Sequence, residues 1–166
     1  MIPLIFKEAD FVIAAKEAVL AIIEVKTKWN DSDFEEIFEK AHNNGIIVGP
    51  RIFNGLFFYD IDHQFRRVPA SISRACNRWH GYVNNVSFGP DYFMKYWDDG
   101  FPNGDEGQKY RFYKIEHLSF GYFISNLIED VHILYNDTSL PSSLHNYMYP
   151  LEETKEAYAM DTIPVH

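Results

Sequence analysis

Two residues of opposite charge, Glu24 and Lys26, stand two positions apart near the end of a short apolar run, residues 19–27. Side chains of a β-strand alternate between faces with a period of two, so this spacing predicts that both groups project from one face. A carboxylate and an ammonium are costly to bury unless they pair or bind something. The pair is therefore either a structural ion pair at a strand end or part of a functional site, and the residues alone leave both interpretations open.

A second group of candidate residues is acidic. Asp60, Asp62 and His63 follow the apolar run 53–60, and the two carboxylates share a face if the strand continues that far, as in a metal site. The alternative, which we favour, is a polar strand end followed by a turn. Basic residues are concentrated in one stretch, where they either face phosphate or form a solvated helix face; they are Arg66, Arg67, Arg74 and Arg78.

The remaining reactive residue types give weaker signals. The seven histidines show no HExxH or other zinc-binding spacing. Cys76 is the only cysteine, so the sequence predicts no disulfide and no cysteine-based metal site. We expect Cys76 to be a buried core thiol, because it falls on the apolar side of a predicted helix. The aromatic residues of the segment 92–97 can stack on nucleic-acid bases, but core packing is the favoured interpretation.

Composition limits the class of protein. The 166 residues include 46% apolar residues, which predicts a single domain, 1–166, with a sizeable core. The net charge of −9 argues against a generic nucleic-acid binder but leaves room for a local basic cleft. The amino terminus lacks the pattern of a signal peptide, and no apolar run is long enough to span a membrane. We therefore expect a cytoplasmic protein with no membrane association.

Hydrophobic patterning predicts an alternation of strands and helices. Strands are predicted at residues 1–6, 11–14, 19–27, 53–60, 86–88, 92–97 and 110–116. Helices are predicted to begin near Ser32, Pro69 and Ser119, whereas the segment 98–108 reads as a loop and the tail from Asn136 has no strong period. A strand, a helix and a second strand in succession favour a parallel crossover.

The strand 19–27 begins apolar on both faces, which predicts a central strand covered on each side. The helix after it shows a capping-box pattern, with Ser32 as the N-cap and Glu35 reaching back. Gly45 is the predicted stop of this helix, and residues 46–48 are expected to lie beyond it.

Residues 6–13 and 21–27 resemble a prokaryotic domain family of unknown function that has a restriction-endonuclease-like fold, that of the PD-(D/E)XK superfamily. Further stretches resemble the same family, at residues 52–59, 118–126 and 149–158. The resemblance spans most of the chain. It implies an α/β fold with a three-layer restriction-endonuclease-like core, in which a central mixed sheet is flanked by helices.

The resemblance also implies a site. In nucleases of this superfamily an aspartate before the E-x-K pair binds Mg²⁺ together with the glutamate. It therefore implies Mg²⁺ as the cofactor, Glu24 as a metal ligand and Lys26 as a catalytic lysine. The family's own aspartate lies upstream of the equivalent of Pro3, so we expect the family core to be truncated at its amino terminus here. Asp10, fourteen residues before Glu24, is the candidate that takes its place as second ligand.

Two functions remain open on this basis. The first is Mg²⁺-dependent phosphodiester hydrolysis, with nucleic acid bound through a local cleft. The second is a catalytically inactive domain of the same fold that serves as a binding or interaction module. A truncated sheet leaves an exposed edge, so we also expect a homo-oligomer or a partner chain.

Overall fold

The structure is a computed structural model that describes residues 4–8, 11–98, 107–136, 138–139, 141, 144, 148 and 158–165. Two short strands, β1 (Leu4–Glu8) and β2 (Phe11–Ala14), pair antiparallel in a sheet of their own. A short 3-10 helix (Lys16–Ala18) follows them. The other elements are β3 (Ala21–Lys28), α1 (Phe34–Val48), β4 (Phe53–Asp60), α2 (Ala70–Arg78), β5 (Asn85–Phe88), β6 (Tyr92–Trp97), β7 (Lys109–Lys114), α3 (Ser119–Asn136) and β8 (Ala159–Pro164).

The main sheet has six strands in the order β3-β4-β5-β6-β7-β8. Strands β3, β4 and β5 run parallel, and the remaining neighbours pair antiparallel. The parallel pairing of β3 and β4 across helix α1 confirms the predicted crossover. None of the helices among the described residues is long and apolar enough to cross a membrane.

Helices cover both faces of this sheet. Helices α1 and α2 pack on one face, where Phe34, Phe38 and Ile72 are completely buried. Helix α3 packs on the other face through Tyr122 and Phe123. Because strand side chains alternate, β4 supplies residues to both cores, and β6 and β7 do the same. The predicted α/β fold with a mixed sheet between helical layers is confirmed.

Strand β3 is the main correction to the sequence-based prediction. Among the described residues it pairs only with β4, so it is an edge strand and not the predicted central strand. Two of its apolar side chains face away from α1 and stay exposed, Ile23 at 38% and Val25 at 64%. An apolar run on both faces cannot distinguish a covered edge strand from a central one, because periodicity reports burial and not pairing.

The predicted boundaries of α1 were wrong at both ends. The N-cap is Asp33, and its side chain makes no capping hydrogen bond. Ser32, the predicted N-cap, lies outside the helix, and its hydroxyl contacts Asn30 Oδ1 at 3.0 Å and Asp33 Oδ1 at 2.6 Å. The helix continues through Gly45 to Val48, so residues 46–48 form its last turn. Gly45 serves close packing, since a Cβ there would lie 2.6 Å from the Asn54 side chain. Gly49, with a φ of 111°, ends the helix.

Several other predictions can be compared with the described residues. The strands at 86–88 and 92–97 and the helix from Ser119 are confirmed. Helix α2 begins one residue after Pro69, which is its N-cap, and it ends at Arg78. Strand β8 was missed, because its short run has a single well-buried residue, Ile163. Most of the predicted loop, 99–106, lies outside the described residues.

Candidate functional site

The structure brings Glu24 and Lys26 together. In the parallel register of β3 and β4, Glu24 lies opposite Leu56 and Lys26 opposite Phe58. Leu56 and Phe58 belong to the core beneath α1 and α2, so the two charged side chains point toward this same layer. Lys26 Nζ lies 2.9 Å from Glu24 Oε1. The period of two in the sequence was sufficient to predict this shared face.

Helix α1 adds a third charged group that the sequence analysis missed. Lys40 Nζ donates a hydrogen bond to the same oxygen, Glu24 Oε1, at 3.3 Å. The sequence feature that could have identified Lys40 is its position next to Ala41, which belongs to the buried stripe of α1. A crossover helix packs on the face of the strands that it connects, so a lysine at that margin can reach the carboxylate.

The two lysines determine the ionisation of Glu24, whose side chain is only 14% exposed. Burial by itself raises the pKa of Glu24, but hydrogen bonds and charge interactions from Lys26 and Lys40 outweigh it. The net result is a pKa below the ordinary value for glutamate. Glu24 is therefore a carboxylate at neutral pH, which is the form that a divalent cation binds.

Glu24 fits Mg²⁺ as one ligand. An ionised carboxylate is the hard oxygen donor that this cation prefers, and one or two such groups plus water complete many Mg²⁺ sites. Two ammonium groups surround this one carboxylate, so a second acid is needed to make the site attractive to a cation. The part of the chain that the structure describes contains no group of three or more metal-ligating side chains. Asp10, the predicted second ligand, lies outside the described residues.

The acidic cluster after β4 has structural partners. Asp62 forms an ion pair with Lys28 at the end of β3. Asp60 Oδ1 accepts a hydrogen bond from the Ile61 amide at 2.8 Å, and its carbonyl oxygen accepts one from the Trp29 amide at 2.9 Å. These contacts match the favoured interpretation, a polar strand end and turn.

The four arginines separate into two groups. Arg74 pairs with Glu35 at 2.6 Å, and the Arg78 guanidinium lies 4.7 Å from the centre of the Trp79 ring. The predicted common helix face is wrong for Arg67, because α2 begins only at Ala70. Arg66 and Arg67 lie instead on the loop between β4 and α2.

The aromatic segment and the cysteine belong to the core, as expected. Tyr92 and Phe93 are buried, while Tyr96 and Trp97 are partly buried. Cys76 is fully buried, and its sulfur lies 3.7 Å from that of Met94. Burial raises the pKa of the Cys76 thiol well above its ordinary value. A neutral, enclosed thiol is a poor nucleophile.

A separate cleft of about 760 Å³ opens at the other end of the sheet, where β5 begins and β6 ends. Its most unusual group is Asp130 of α3, which was not predicted from the sequence. Burial raises the pKa of Asp130 to about 6, although nearby Lys95 lowers it. No sequence spacing marks this residue, because its environment comes from strands distant in the chain.

Comparisons with known proteins bear on the fold alone. No family model matches the chain, and no curated protein matches it. Solved structures of NucC do match. The cAAA-bound form of NucC from P. aeruginosa ATCC27853 has a TM-score of 0.56 and 15% identity over 84% of this chain and 61% of that chain.

Two structures of NucC from E. coli MS115-1 give a similar result. The cAAA-bound form has a TM-score of 0.54 and 17% identity, over 84% of this chain and 61% of that one. The apo form has a TM-score of 0.54 and 14% identity, over 90% and 70% respectively. The chain spans about three-fifths of the length of the two cAAA-bound structures. At this identity the similarity shows a shared nuclease-like α/β fold, as the resemblance implied.

Proposed function

We propose that this protein is a Mg²⁺-dependent nuclease that hydrolyses phosphodiester bonds, with Glu24 as a metal ligand and Lys26 as its catalytic lysine. The observation that supports this most directly is the 2.9 Å contact between Glu24 and Lys26 on one face of β3. The pair occurs in a sheet that resembles that of NucC, and the E-x-K spacing is the one that the superfamily uses.

The proposed mechanism assigns a role to each side chain. The chemistry that Mg²⁺ supplies when bound is polarisation of the phosphate and activation of a water molecule. Glu24 and Asp10 would hold the cation. Lys26 orients the attacking water or stabilises the negative charge that develops on the phosphate oxygens. Lys40, which contacts the same oxygen from α1, helps to keep the Glu24 carboxylate ionised.

The test is cleavage by the full chain of supercoiled plasmid DNA and of single-stranded RNA. We expect cleavage with Mg²⁺ and none with a chelator, and a Glu24→Gln sample purified in parallel guards against a contaminating nuclease. Reactions are run with and without cAAA, because two of the matched NucC structures are cAAA-bound forms. Binding of Mn²⁺ is measured directly by calorimetry. Equal cleavage by the wild type and the Glu24→Gln variant would contradict the proposal.

The second candidate function is a catalytically inactive binding module of the same fold. The observation that favours it is the charge balance at the site, where two lysines face one carboxylate among the described residues. Under this alternative Glu24 forms only structural ion pairs. The full chain would then neither bind Mn²⁺ nor cleave any substrate in the assay above.

We also propose that a second copy of the chain or a partner chain covers the edge of β3 that no strand among the described residues pairs with. An unpaired edge strand is a template for pairing, and Val25 is one of its exposed apolar residues. Sedimentation velocity is expected to show a species larger than 19.5 kDa, the mass of one chain. A single monomeric species across the concentration range would refute self-association, and a partner chain would then be the remaining occupant of this edge.

A further inference from the structure

The loop between β4 and α2, residues 61–69, carries a concentration of positive charge. Arg66 and Arg67 are both exposed, and neither forms an ion pair with any of the described residues. They line an open cleft of about 930 Å³ together with His63 and Lys114. Glu116 lies 3.8 Å from Lys114 and is the acid paired with it, so the positive charges of Arg66 and Arg67 remain unbalanced. In a chain with a net charge of −9, such a local excess is notable.

This loop is fixed in place by an aromatic anchor. Phe65, just before the two arginines, is only 6% exposed. Its ring lies 4.9 Å from the ring of Trp29 and 4.9 Å from that of Tyr92, measured between centroids. The Tyr92 hydroxyl donates a hydrogen bond to the Phe65 carbonyl oxygen at 3.3 Å. The backbone that carries the arginines is therefore held against the core, so their charges are positioned in advance.

The basic cleft lies at the same end of the sheet as Lys26, because the register places Lys26 and Lys114 in one row across the strands. Trp29, which anchors the loop, follows Lys26 by three residues. Lys114 lies opposite Tyr92 at the same end of β7, on the face covered by α1 and α2. Strands β3 and β7 are four positions apart in the sheet, or roughly 19 Å at the usual strand spacing. A nucleic-acid strand rises about 3.4 Å per nucleotide, so roughly five or six nucleotides span that distance.

We propose that Arg66, Arg67 and Lys114 bind the phosphate backbone of a nucleic acid and lay it across the end of the sheet toward Glu24 and Lys26. Guanidinium groups suit phosphate because they can donate two hydrogen bonds at once. Contacts to phosphate carry no sequence information, so the binding is independent of sequence and weakens with salt. This inference rests on the proposed nuclease function for the identity of the ligand.

The test measures binding separately from cleavage. The anisotropy of labelled 20-mers, single-stranded and duplex, is titrated with the full chain in a chelator, so that no cleavage occurs. The double variant Arg66→Ala, Arg67→Ala is expected to bind at least tenfold more weakly at low salt. Its slope of log affinity against log salt is expected to fall by about 1.8 for the duplex, at about 0.9 per lost phosphate contact.

The matched control is the double variant Arg51→Ala, Arg78→Ala, which loses the same charge from two exposed arginines outside this cleft. Its salt slope is expected to stay within error of the wild type. The variant Arg66→Lys, Arg67→Lys keeps the charge and is expected to recover most of the binding. Circular dichroism melts of all variants exclude a folding defect as the cause.

The outcomes separate this inference from the proposed function. The proposed phosphate binding would be refuted if the two double alanine variants had equal slopes of log affinity against log salt. It would also be refuted if the wild type bound neither 20-mer. If the wild type cleaves and the variant Arg66→Ala, Arg67→Ala binds as tightly as the wild type, phosphate binding by this cleft is refuted and the nuclease proposal stands. A wild type that binds through Arg66 and Arg67 but never cleaves would support the cleft and refute the nuclease.

Discussion

Replacing Lys26 by alanine is expected to lower the rate of phosphodiester cleavage at least a hundredfold while the protein stays folded. Removing one group that stabilises developing negative charge costs about 10²–10³ in rate in enzymes of known mechanism. Lys26 is 37% exposed, and an ion pair of that exposure contributes roughly 0–1 kcal/mol to stability. A large loss of activity with a small loss of stability is therefore the signature of a catalytic lysine.

Lys40 provides the matched control, because it contacts the same oxygen of Glu24 from helix α1. Its side chain is 65% exposed, and its removal leaves the Lys26 contact in place. We expect Lys40→Ala to lower the cleavage rate by less than about fivefold, which corresponds to about 1 kcal/mol of lost electrostatic support. Initial rates on plasmid and thermal melts are compared for both variants. Equal damage from the two substitutions, or a Lys26→Ala enzyme within tenfold of wild type, would show that the pair is structural.

The sequence was enough to place Glu24 and Lys26 on one face, because that depends only on the period of a strand. It was not enough to place β3 at the edge of the sheet. Edge position depends on which strands pair, and pairing is decided by contacts between segments far apart in the chain. For the same reason Lys40 was missed, since its reach to Glu24 depends on how the crossover helix is rotated on the sheet.

Helix and strand ends were predictable only where local chemistry decides them. Pro69 marked the start of α2 to within one residue, because a proline lacks an amide N–H and suits the helix start, where that group has no partner in the helix. Gly45 was misread as a stop because a buried glycine packed against Asn54 has the same sequence signature as a glycine that ends a helix. Strand β8 was missed because an edge strand buries little and so has a weak hydrophobic pattern.

Asp130 provides a second large effect, on stability and not on catalysis. Burial raises its pKa to about 6, while Lys95 lowers it and Glu129 raises it further. A carboxyl whose folded pKa is above its unfolded value favours the folded state only when protonated. The stabilisation is complete below the ordinary pKa of 3.8 and is lost as the pH rises through about 6. At pH 8 the buried charge therefore costs stability.

The variant Asp130→Asn is expected to have a larger free energy of unfolding than the wild type at pH 8 and an equal one at pH 4. The shift of about two units sets an upper limit of roughly 3 kcal/mol on the gain, at about 1.4 kcal/mol per unit. Asp130 is partly exposed, so we expect a gain of roughly 1–2 kcal/mol. Lys95 tolerates the lost charge because it also donates a hydrogen bond to Asn126 at 2.6 Å and lies over the Trp97 ring.

The measurement is the free energy of unfolding in urea at intervals from pH 4 to pH 8. Asp161→Asn is the matched control, because it removes an exposed carboxylate of β8 by the same chemical change. His80, Arg51 and Asp98 line the cleft beside Asp130 and remain unchanged in both variants. A gain for Asp130→Asn that does not grow between pH 4 and pH 6 would mean that its carboxyl is solvated in the folded protein. The cleft would then lack the low-dielectric wall that burial of this side chain implies.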